Sequence, residues 1–193
     1  MEFPKDLTVG YALCGSFCTF RRSIREMQAL VSEGAHIIPI MSQNAYTLDT
    51  RFGKAADYVS EIEGICGCPV IHTIPDAEPI GPQKLLDVLV ISPCTGNTLA
   101  KLAGGVTDTP VTLAAKAHLR NARPLLLGVS TNDALAAAAK NIGLLMNSRY
   151  VYFIPMSQDD PLKKPNSVVA HFDRTAEAIV SALAGRQLQP VYA

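Results

Sequence analysis

The stretch LLDVLVISPCTGNTLAKLAGG, residues 85–105, joins an apolar run to a short polar loop and then to a helical pattern. The run at residues 86–92 predicts a strand that is buried on both faces, and residues 97–103 predict a short helix. Loops of this kind often hold phosphate groups, because the free N–H groups at the start of a helix attract an anion. The stretch therefore predicts an α/β fold with a ligand site at this loop.

Strand and helix patterns alternate along the rest of the chain. Apolar runs predict further strands at residues 7–14, 35–41, 69–73, 124–130 and 150–155. Helical spacing predicts helices at residues 20–32, 54–66, 109–121, 132–146 and 174–184, whereas residues 157–166 have the composition of a polar loop. Right-handed crossovers between parallel strands give a doubly wound, Rossmann- or flavodoxin-like three-layer α/β sandwich, here with about six strands. Because no linker or repeat interrupts the pattern, we expect a single domain over residues 1–193.

The composition indicates a soluble protein with no affinity for polyanions. Hydrophobic residues make up 48% of the chain and charged residues 18%, with 17 basic and 17 acidic side chains. This balance gives no electrostatic reason to expect nucleic acid or a membrane surface as a partner. The longest apolar run is far shorter than the ~20 residues that cross a bilayer, and the first residues do not resemble a signal peptide. We therefore expect a cytoplasmic location.

The cysteine spacing argues against a metal site. The five cysteines are Cys14, Cys18, Cys66, Cys68 and Cys94. They lack the two closely spaced pairs that a zinc site normally shows. We therefore expect reduced thiols, most of them packed in the core, and no bound metal.

Small polar residues follow four of the predicted strands. Gly15 and Ser16 follow the first strand, Ser42 the second, and residues 93–98 and 130–133 two later ones. The carboxyl ends of parallel strands share one edge of a sheet, so these residues predict a single site. Because the glycine pattern of dinucleotide sites and the P-loop are both missing, hydroxyl and amide donors favour FMN over ATP or a dinucleotide. The residues expected to bind this cofactor are Gly15, Ser16, Ser42, Pro93, Thr95, Asn97 and Thr98.

Each of these residues also has a purely structural interpretation. Ser16 fits an ordinary strand-to-helix turn, Ser42 fits a solvated loop, and Asn97 fits a cap of the helix that follows. The four histidines, His36, His72, His118 and His171, do not lie at a predicted strand end, so we expect structural roles for them. No general base stands out from the sequence.

Residues 92–108, SPCTGNTLAKLAGGVTD, resemble the PATANTxAKxAxGxxD stretch of the flavoprotein family that includes phosphopantothenoylcysteine and lantibiotic cysteine decarboxylases. The resemblance implies a Rossmann-like sheet, bound FMN and a homo-oligomer. Two features of the decarboxylases are absent. Their histidine corresponds approximately to Pro79, and only Asn132 remains of their PxMNxxMW segment. Both departures argue against decarboxylation of peptidyl cysteine.

A closer resemblance is to the B subunits of dipicolinate synthases, and it spans nearly the whole chain. It is carried by TRFG at residues 50–53, AEPIGP at 77–82, GVSTNDAL at 128–135 and QDDPLKKPNSVVA at 158–170. This resemblance implies an oxidoreductase that converts a dihydrodipicolinate-type precursor to dipicolinate in the mother cell of a sporulating bacterium. It also implies a partner, the A subunit of dipicolinate synthase, which carries NAD(P).

A dicarboxylate ligand requires cations and amide donors. The candidate substrate residues are Asn132, Arg51, Lys163, Lys164 and Asn166. Lys163 and Lys164 also fit a solvated loop neutralised by the preceding aspartates, and Arg51 also fits a surface ion pair. Two other functions remain open. One is an FMN-dependent decarboxylase or flavin prenyltransferase, and the other is a non-catalytic protein that serves as a binding or scaffolding subunit.

Overall fold

The structure is a computed structural model that describes residues 3–193. Seven strands form one sheet with the order β2-β1-β3-β4-β7-β6, and β5 pairs with β4 beside this path. The strands are β1 (Thr8–Leu13), β2 (His36–Met41), β3 (Val88–Cys94), β4 (Leu125–Thr131), β5 (Val151–Phe153), β6 (Met156–Asp160) and β7 (Lys164–Ala170). The helices are α1 (Phe20–Ser32), α2 (Gln43–Thr47), α3 (Ala55–Cys66), α4 (Ile74–Ala77), α5 (Gly96–Ala103), α6 (Pro110–Leu119), α7 (Ala139–Met146) and α8 (Thr175–Leu183).

The sheet separates two apolar cores. Alternate residues of a strand point to opposite faces, and β4 shows this clearly. Leu125 and Leu127 pack in the core on one face, and Leu126 packs in the core on the other. Helices cover both faces, with α5, α6 and α7 on the first side and α1, α3 and α8 on the second. This arrangement confirms the predicted doubly wound α/β fold.

Strand β4 changes its outer neighbour halfway along its length. Its first residues pair in parallel with β5, from Leu125 with Val151 to Leu127 with Phe153. Its last two residues, Ser130 and Thr131, pair with β7 in the antiparallel direction. Strands β6 and β7 form a hairpin, which we call the β6–β7 hairpin (residues 156–170). The hairpin therefore joins the sheet at the carboxyl end of β4, next to the predicted site.

Three of the secondary-structure predictions are wrong. Residues 157–166 form most of the hairpin instead of a loop, because strand pairing here occurs between exposed polar residues without an apolar pattern. The helix predicted at residues 132–146 begins only at Ala139. The main-chain carbonyl of Asp133 accepts the N–H groups of Ala136 and Ala138, and Leu135 N–H donates to the carbonyl of Asn166. These contacts hold the chain in turns before the helix.

The third wrong prediction concerns residues 69–73, which do not form a strand of the sheet. Only Ile71 pairs with β2, through a single parallel bridge to Ile40 and main-chain hydrogen bonds to Pro39 and Met41. Strand β2 is the outer strand on this side of the sheet, as Pro39 predicted. In residues 3–193, no helix is both long enough and apolar enough to cross a membrane.

Candidate functional site

A cavity of about 400 Å³ lies at the carboxyl ends of β1, β2 and β3. Its size is within the range of small-molecule sites. It is lined by Cys14, Gly15, Ser42, Gln43, Asn44, Thr95, Asn97, Thr98, Lys101 and Thr109. We call it the carboxyl-edge cavity. It lies where doubly wound sheets bind their ligands.

Five of the seven residues predicted to bind a cofactor line this cavity, namely Gly15, Ser42, Thr95, Asn97 and Thr98. Ser16 and Pro93 do not. The Ser16 hydroxyl lies 2.8 Å from the Ser130 hydroxyl, with which it forms a hydrogen bond at the end of β4. Pro93 is buried, and its carbonyl accepts the N–H of Cys14 at 3.2 Å. Strand pairing therefore brings the predicted loops together, although the binding roles of these residues stay predictions.

Helix capping explains how two of the loops are held. The Thr95 hydroxyl accepts the N–H of Thr98 and caps α5, and the Ser42 hydroxyl accepts the N–H of Ala45 and caps α2. The alternative interpretation of Asn97 as the cap is therefore wrong. Asn97 is exposed on the cavity wall, and its amide is left available for a ligand.

The donors around the cavity suit a neutral or anionic ligand. Hydroxyl groups and side-chain amides dominate the lining. Within the described residues 3–193, no aspartate, glutamate or histidine lines the cavity. The single cation, Lys101, is bound to Asp108 with Nζ and Oδ1 2.7 Å apart. Burial raises the pKa of the Cys14 thiol to about 11, so the sulfur stays uncharged while it accepts a hydrogen bond from the Thr98 hydroxyl. This donor set fits the phosphate and the polar ring edge of FMN.

A second cavity of about 480 Å³ adjoins the first, because Gln43 and Thr109 line both. Tyr46 and His72 stack in its wall, with ring centroids 3.8 Å apart and planes inclined by 7°. Its wall also contains Asp108, the partner of Lys101. The carboxyl-edge cavity is thus one part of a longer polar groove along this edge of the sheet.

Four of the five predicted substrate residues lie on the β4 side of the site. Asn132 follows β4 and is exposed, and Asn166 in β7 is tied to the same turn by the hydrogen bond from Leu135. Lys163 and Lys164 lie at the turn of the β6–β7 hairpin, where Lys164 Nζ is 2.5 Å from Asp159 Oδ2. This contact raises the pKa of Lys164. The four residues stay predictions as substrate ligands.

Arg51 is separated from the other candidates. It lies in the turn between α2 and α3, and its guanidinium is 4.9 Å from the centre of the Phe52 ring. These helices follow β2, at the opposite edge of the sheet from the hairpin. Within one copy of the chain, the structure does not bring Arg51 together with Lys163 and Lys164.

The sequence analysis placed Asp133 in the polar loop at residues 130–133 but gave it no role of its own, and the structure packs it against Gly96, between two residues that line the carboxyl-edge cavity. The Thr131 hydroxyl donates to Asp133 Oδ1 at 2.6 Å. A Cβ on Gly96 would lie 2.7 Å from the same oxygen, so only glycine allows this approach. One signal was available, because Gly96 takes the place of alanine in the PATANT pattern.

His72 lines the second cavity, whereas the other three histidines lie outside both cavities. His118 is buried and lies 3.0 Å from the carbonyl of Pro124, and burial lowers its pKa to about 4. His36 is exposed beside Asp6, whereas His171 precedes the 3₁₀ turn Phe172–Arg174. All five cysteines, each within the described range, are free thiols. Between residues 3 and 193, no three metal-ligating side chains come together.

Comparison with known proteins gives the class to which this fold and site correspond. The chain matches the family described as "Flavoprotein" over residues 4–186, and it therefore belongs to the flavoprotein family. It is 46% identical over 191 residues to the B subunit of dipicolinate synthase from Bacillus subtilis, covering 99% of this chain and 96% of the relative.

Solved structures show the same likeness. The crystal structure of the dipicolinate synthase B subunit from Bacillus halodurans superposes with a TM-score of 0.91 at 42% identity, covering 100% of this chain and 98% of the other. The FMN-dependent cysteine decarboxylase SpaF superposes with a TM-score of 0.69 at 21% identity, covering 91% of this chain and 97% of the other. The second likeness shows the shared fold alone.

Proposed function

We propose that the chain is the flavoprotein-type subunit of a dipicolinate synthase. Together with the A subunit of that enzyme, it oxidises a dihydrodipicolinate-type precursor to pyridine-2,6-dicarboxylate. The observation that carries this proposal is the similarity to the B subunit of dipicolinate synthase, which extends over 99% of the chain at 46% identity. The site of this reaction is the carboxyl-edge cavity together with the adjoining end of β4.

FMN is the proposed cofactor of the carboxyl-edge cavity. Gly15 and Ser42 would hold its phosphate through backbone amides and a hydroxyl. The Asn97 amide and the Thr98 hydroxyl would face the ring edge, where both donors and acceptors are needed. When bound, FMN would supply a two-electron acceptor. The uncharged Cys14 thiol keeps a negative charge away from this site.

The polar surface beside β4 is the proposed binding site for the dicarboxylate. Asn132 and Asn166 supply amides, and Lys163 and Lys164 supply cations on the hairpin. Amide and ammonium donors suit a planar ring with two carboxylates, because carboxylates form their strongest hydrogen bonds with charged donors. The hydrogen bond from Leu135 N–H to the Asn166 carbonyl keeps the turn that contains Asn132 beside β7.

The proposed partners are the A subunit of dipicolinate synthase, which would carry NAD(P), and further copies of this chain. Exposed apolar side chains surround the groove that contains the carboxyl-edge cavity. Ile74 lines its second cavity, Leu48 follows the lining residue Thr47, and Val106 lies in the depression next to Lys101. Such clusters at a site's rim are typical of protein interfaces. We place the complex in the cytoplasm of the mother cell of a sporulating bacterium.

Reconstitution tests the proposal. The purified A subunit is assayed for dipicolinate formation with and without this chain, and the chain is titrated with FMN while the flavin absorbance is recorded. We expect dipicolinate only when both subunits are present, and saturable FMN binding. Failure of the two subunits to form dipicolinate would contradict the proposed synthase activity. A colourless protein that binds no FMN in the titration would contradict only the proposal that FMN is the cofactor.

The alternative of a decarboxylase or flavin prenyltransferase is less well supported. The place of the decarboxylase histidine is taken by Pro79, which lies in the short turn Glu78–Ile80. The alternative of a non-catalytic scaffolding subunit is supported by the composition of the cavity lining. Within the described residues 3–193, this lining contains no carboxylate and no imidazole. Turnover of a cysteine-terminal peptide or of a prenyl phosphate would favour the first alternative. Full activity of the complex after Asn97→Ala and Asn132→Ala would favour the second.

A further inference from the structure

Asp133 lies on the boundary between the carboxyl-edge cavity and the proposed dicarboxylate site. Its Oδ1 is held by the Thr131 hydroxyl at 2.6 Å, and it approaches Gly96 more closely than a Cβ on that residue would allow. Gly96 stands between Thr95 and Asn97, which both line the cavity. Asn132, a proposed substrate ligand, is its neighbour in the chain. The Asp133 carboxylate is therefore packed against the segment that separates the cavity from the proposed dicarboxylate site.

The side chain of Asp133 contributes little to the local fold. The turn after β4 is stabilised by its main-chain carbonyl, which accepts the N–H groups of Ala136 and Ala138 at 2.9 and 3.1 Å. Within residues 3–193, the only hydrogen bond to its carboxylate is the one from Thr131. One oxygen is therefore fixed, and the other is available to a ligand.

The start of α5 favours a negative charge at this place. Thr95 caps only the N–H of Thr98, so the N–H groups of Gly96 and Asn97 have no acceptor within the helix. Free N–H groups at the start of a helix stabilise a nearby carboxylate. The carboxylate of Asp133 is half-buried and lies next to Gly96. The hydrogen bond from Thr131 and the close contact with Gly96 hold this carboxylate in a fixed orientation beside the start of α5.

We propose that Asp133 is the catalytic base of the oxidation, an inference that rests on the function proposed above. A dihydropyridine becomes a pyridine when two neighbouring ring atoms each lose a hydrogen. One hydrogen leaves as a hydride with its electron pair to a two-electron oxidant, a flavin or a nicotinamide. The other leaves as a proton to Asp133, and its bonding pair completes the ring double bond. The substrate is oxidised by two electrons, the oxidant is reduced by two, and Asp133 becomes a neutral acid.

Asp133→Asn tests the base, because asparagine keeps the shape and the acceptor for Thr131. With the A subunit present, we expect turnover to fall by about a hundredfold or more, as is typical for the loss of a general base. Glu177→Gln is the matched control, because Glu177 is an exposed acid paired with Arg174 on α8. This control should keep wild-type turnover.

Binding of the product gives a readout that does not depend on turnover. Dipicolinate, a dianion, is titrated calorimetrically into each variant between about pH 5.5 and 8.5. Across this range Asp133→Asn should bind dipicolinate roughly threefold to tenfold more tightly than the wild type, because a like charge is gone. A merely structural role predicts weaker binding and lost turnover together, and that result would overturn the inference.

Gly96→Ala supplies a second test, because it displaces the Asp133 carboxylate without removing it. The added methyl group would overlap Asp133 Oδ1, so the carboxylate must move away from the wall. We expect turnover to fall and the double variant with Asp133→Asn to lose no more than the single one, since both changes remove the same group. If Asp133→Asn kept wild-type turnover, Asp133 would not be the catalytic base. A wild-type complex that neither forms nor binds dipicolinate would overturn the proposed function itself.

Discussion

The parallel part of the sheet and the β6–β7 hairpin are built in opposite ways. Strands β1, β3 and β4 are buried almost throughout, and their side chains form the two apolar cores. The hairpin is polar and exposed toward its turn. Even the leucine of this turn, Leu162, is 95% exposed. The first region holds the walls of the carboxyl-edge cavity, and the second holds the predicted cations. The difference teaches that stability and the proposed recognition of the dicarboxylate depend on separate residues.

Truncation of one leucine in each region tests this separation most strongly. Leu127→Ala leaves a cavity in the middle of the parallel strands, where Leu127 is fully buried. We expect it to lower the free energy of unfolding by about 4 kcal/mol. Leu162→Ala should change it by less than about 0.5 kcal/mol. Urea unfolding of both variants measures the contrast, and equal losses would show that the hairpin turn is packed.

Acid should destabilise the parallel region through His118. Burial lowers the pKa of His118 to about 4 in the folded protein, so the imidazole is neutral when folded but becomes protonated below its usual pKa when unfolded. Stability is therefore lost as pH falls from about 6.5 to about 4, by about 3 kcal/mol in total.

Urea midpoints across this pH range measure the acid effect. The variant His118→Gln keeps a hydrogen-bond donor near the carbonyl of Pro124 but does not titrate, so its profile should be flatter. An unchanged slope in that variant would assign the acid sensitivity to other groups.

Removal of a hairpin cation should affect ligand binding and leave stability nearly unchanged. Lys164 and Asp159 form an exposed ion pair, so Lys164→Met should leave the urea midpoint of unfolding nearly unchanged. We expect the affinity for dipicolinate to fall about tenfold, or about 1.4 kcal/mol, in calorimetric titration. Lys140→Met removes an exposed lysine of α7 and serves as the control. If both variants bind alike, the hairpin is not the dicarboxylate site.

The smallest expected effects separate two neighbours on the cavity wall. Thr95 caps α5, so Thr95→Ala should cost about 1 kcal/mol of unfolding free energy. Asn97→Ala should cost less than about 0.5 kcal/mol, because this side chain is exposed and does not cap the helix. FMN titration should show about fivefold weaker binding for Asn97→Ala. Unchanged FMN affinity would remove Asn97 from the proposed site.

The same contrast explains what could be predicted from sequence. Continuous apolar runs specified the buried strands, and the small polar residues that follow them specified the edge where Gly15, Ser42 and Asn97 meet. The hairpin escaped prediction because its strands carry Gln158, Asp159 and other exposed polar residues. Pairing between such strands depends on main-chain hydrogen bonds, which leave no apolar period in the sequence.

The length of α7 was overestimated for a related reason. The alanines before it have high helix propensity, but the contacts of Asp133 and Leu135 with distant main chain override that local preference. Asp133 fell within the polar loop predicted at residues 130–133 but received no role, because a single acid in a turn has no pattern of its own. Its position became visible only through its close approach to Gly96.

The change of neighbour along β4 has a consequence for how such proteins diversify. The hairpin is attached to β4 through Ser130 and Thr131 alone, whereas β3 and β5 pair with the strand further back. Insertions or exchanges near the exposed turn of the hairpin would leave that pairing intact, whereas Met156, Val168 and Ala170 at its base belong to the cores. One α/β frame can therefore present different polar surfaces by changing the turn of a single peripheral hairpin.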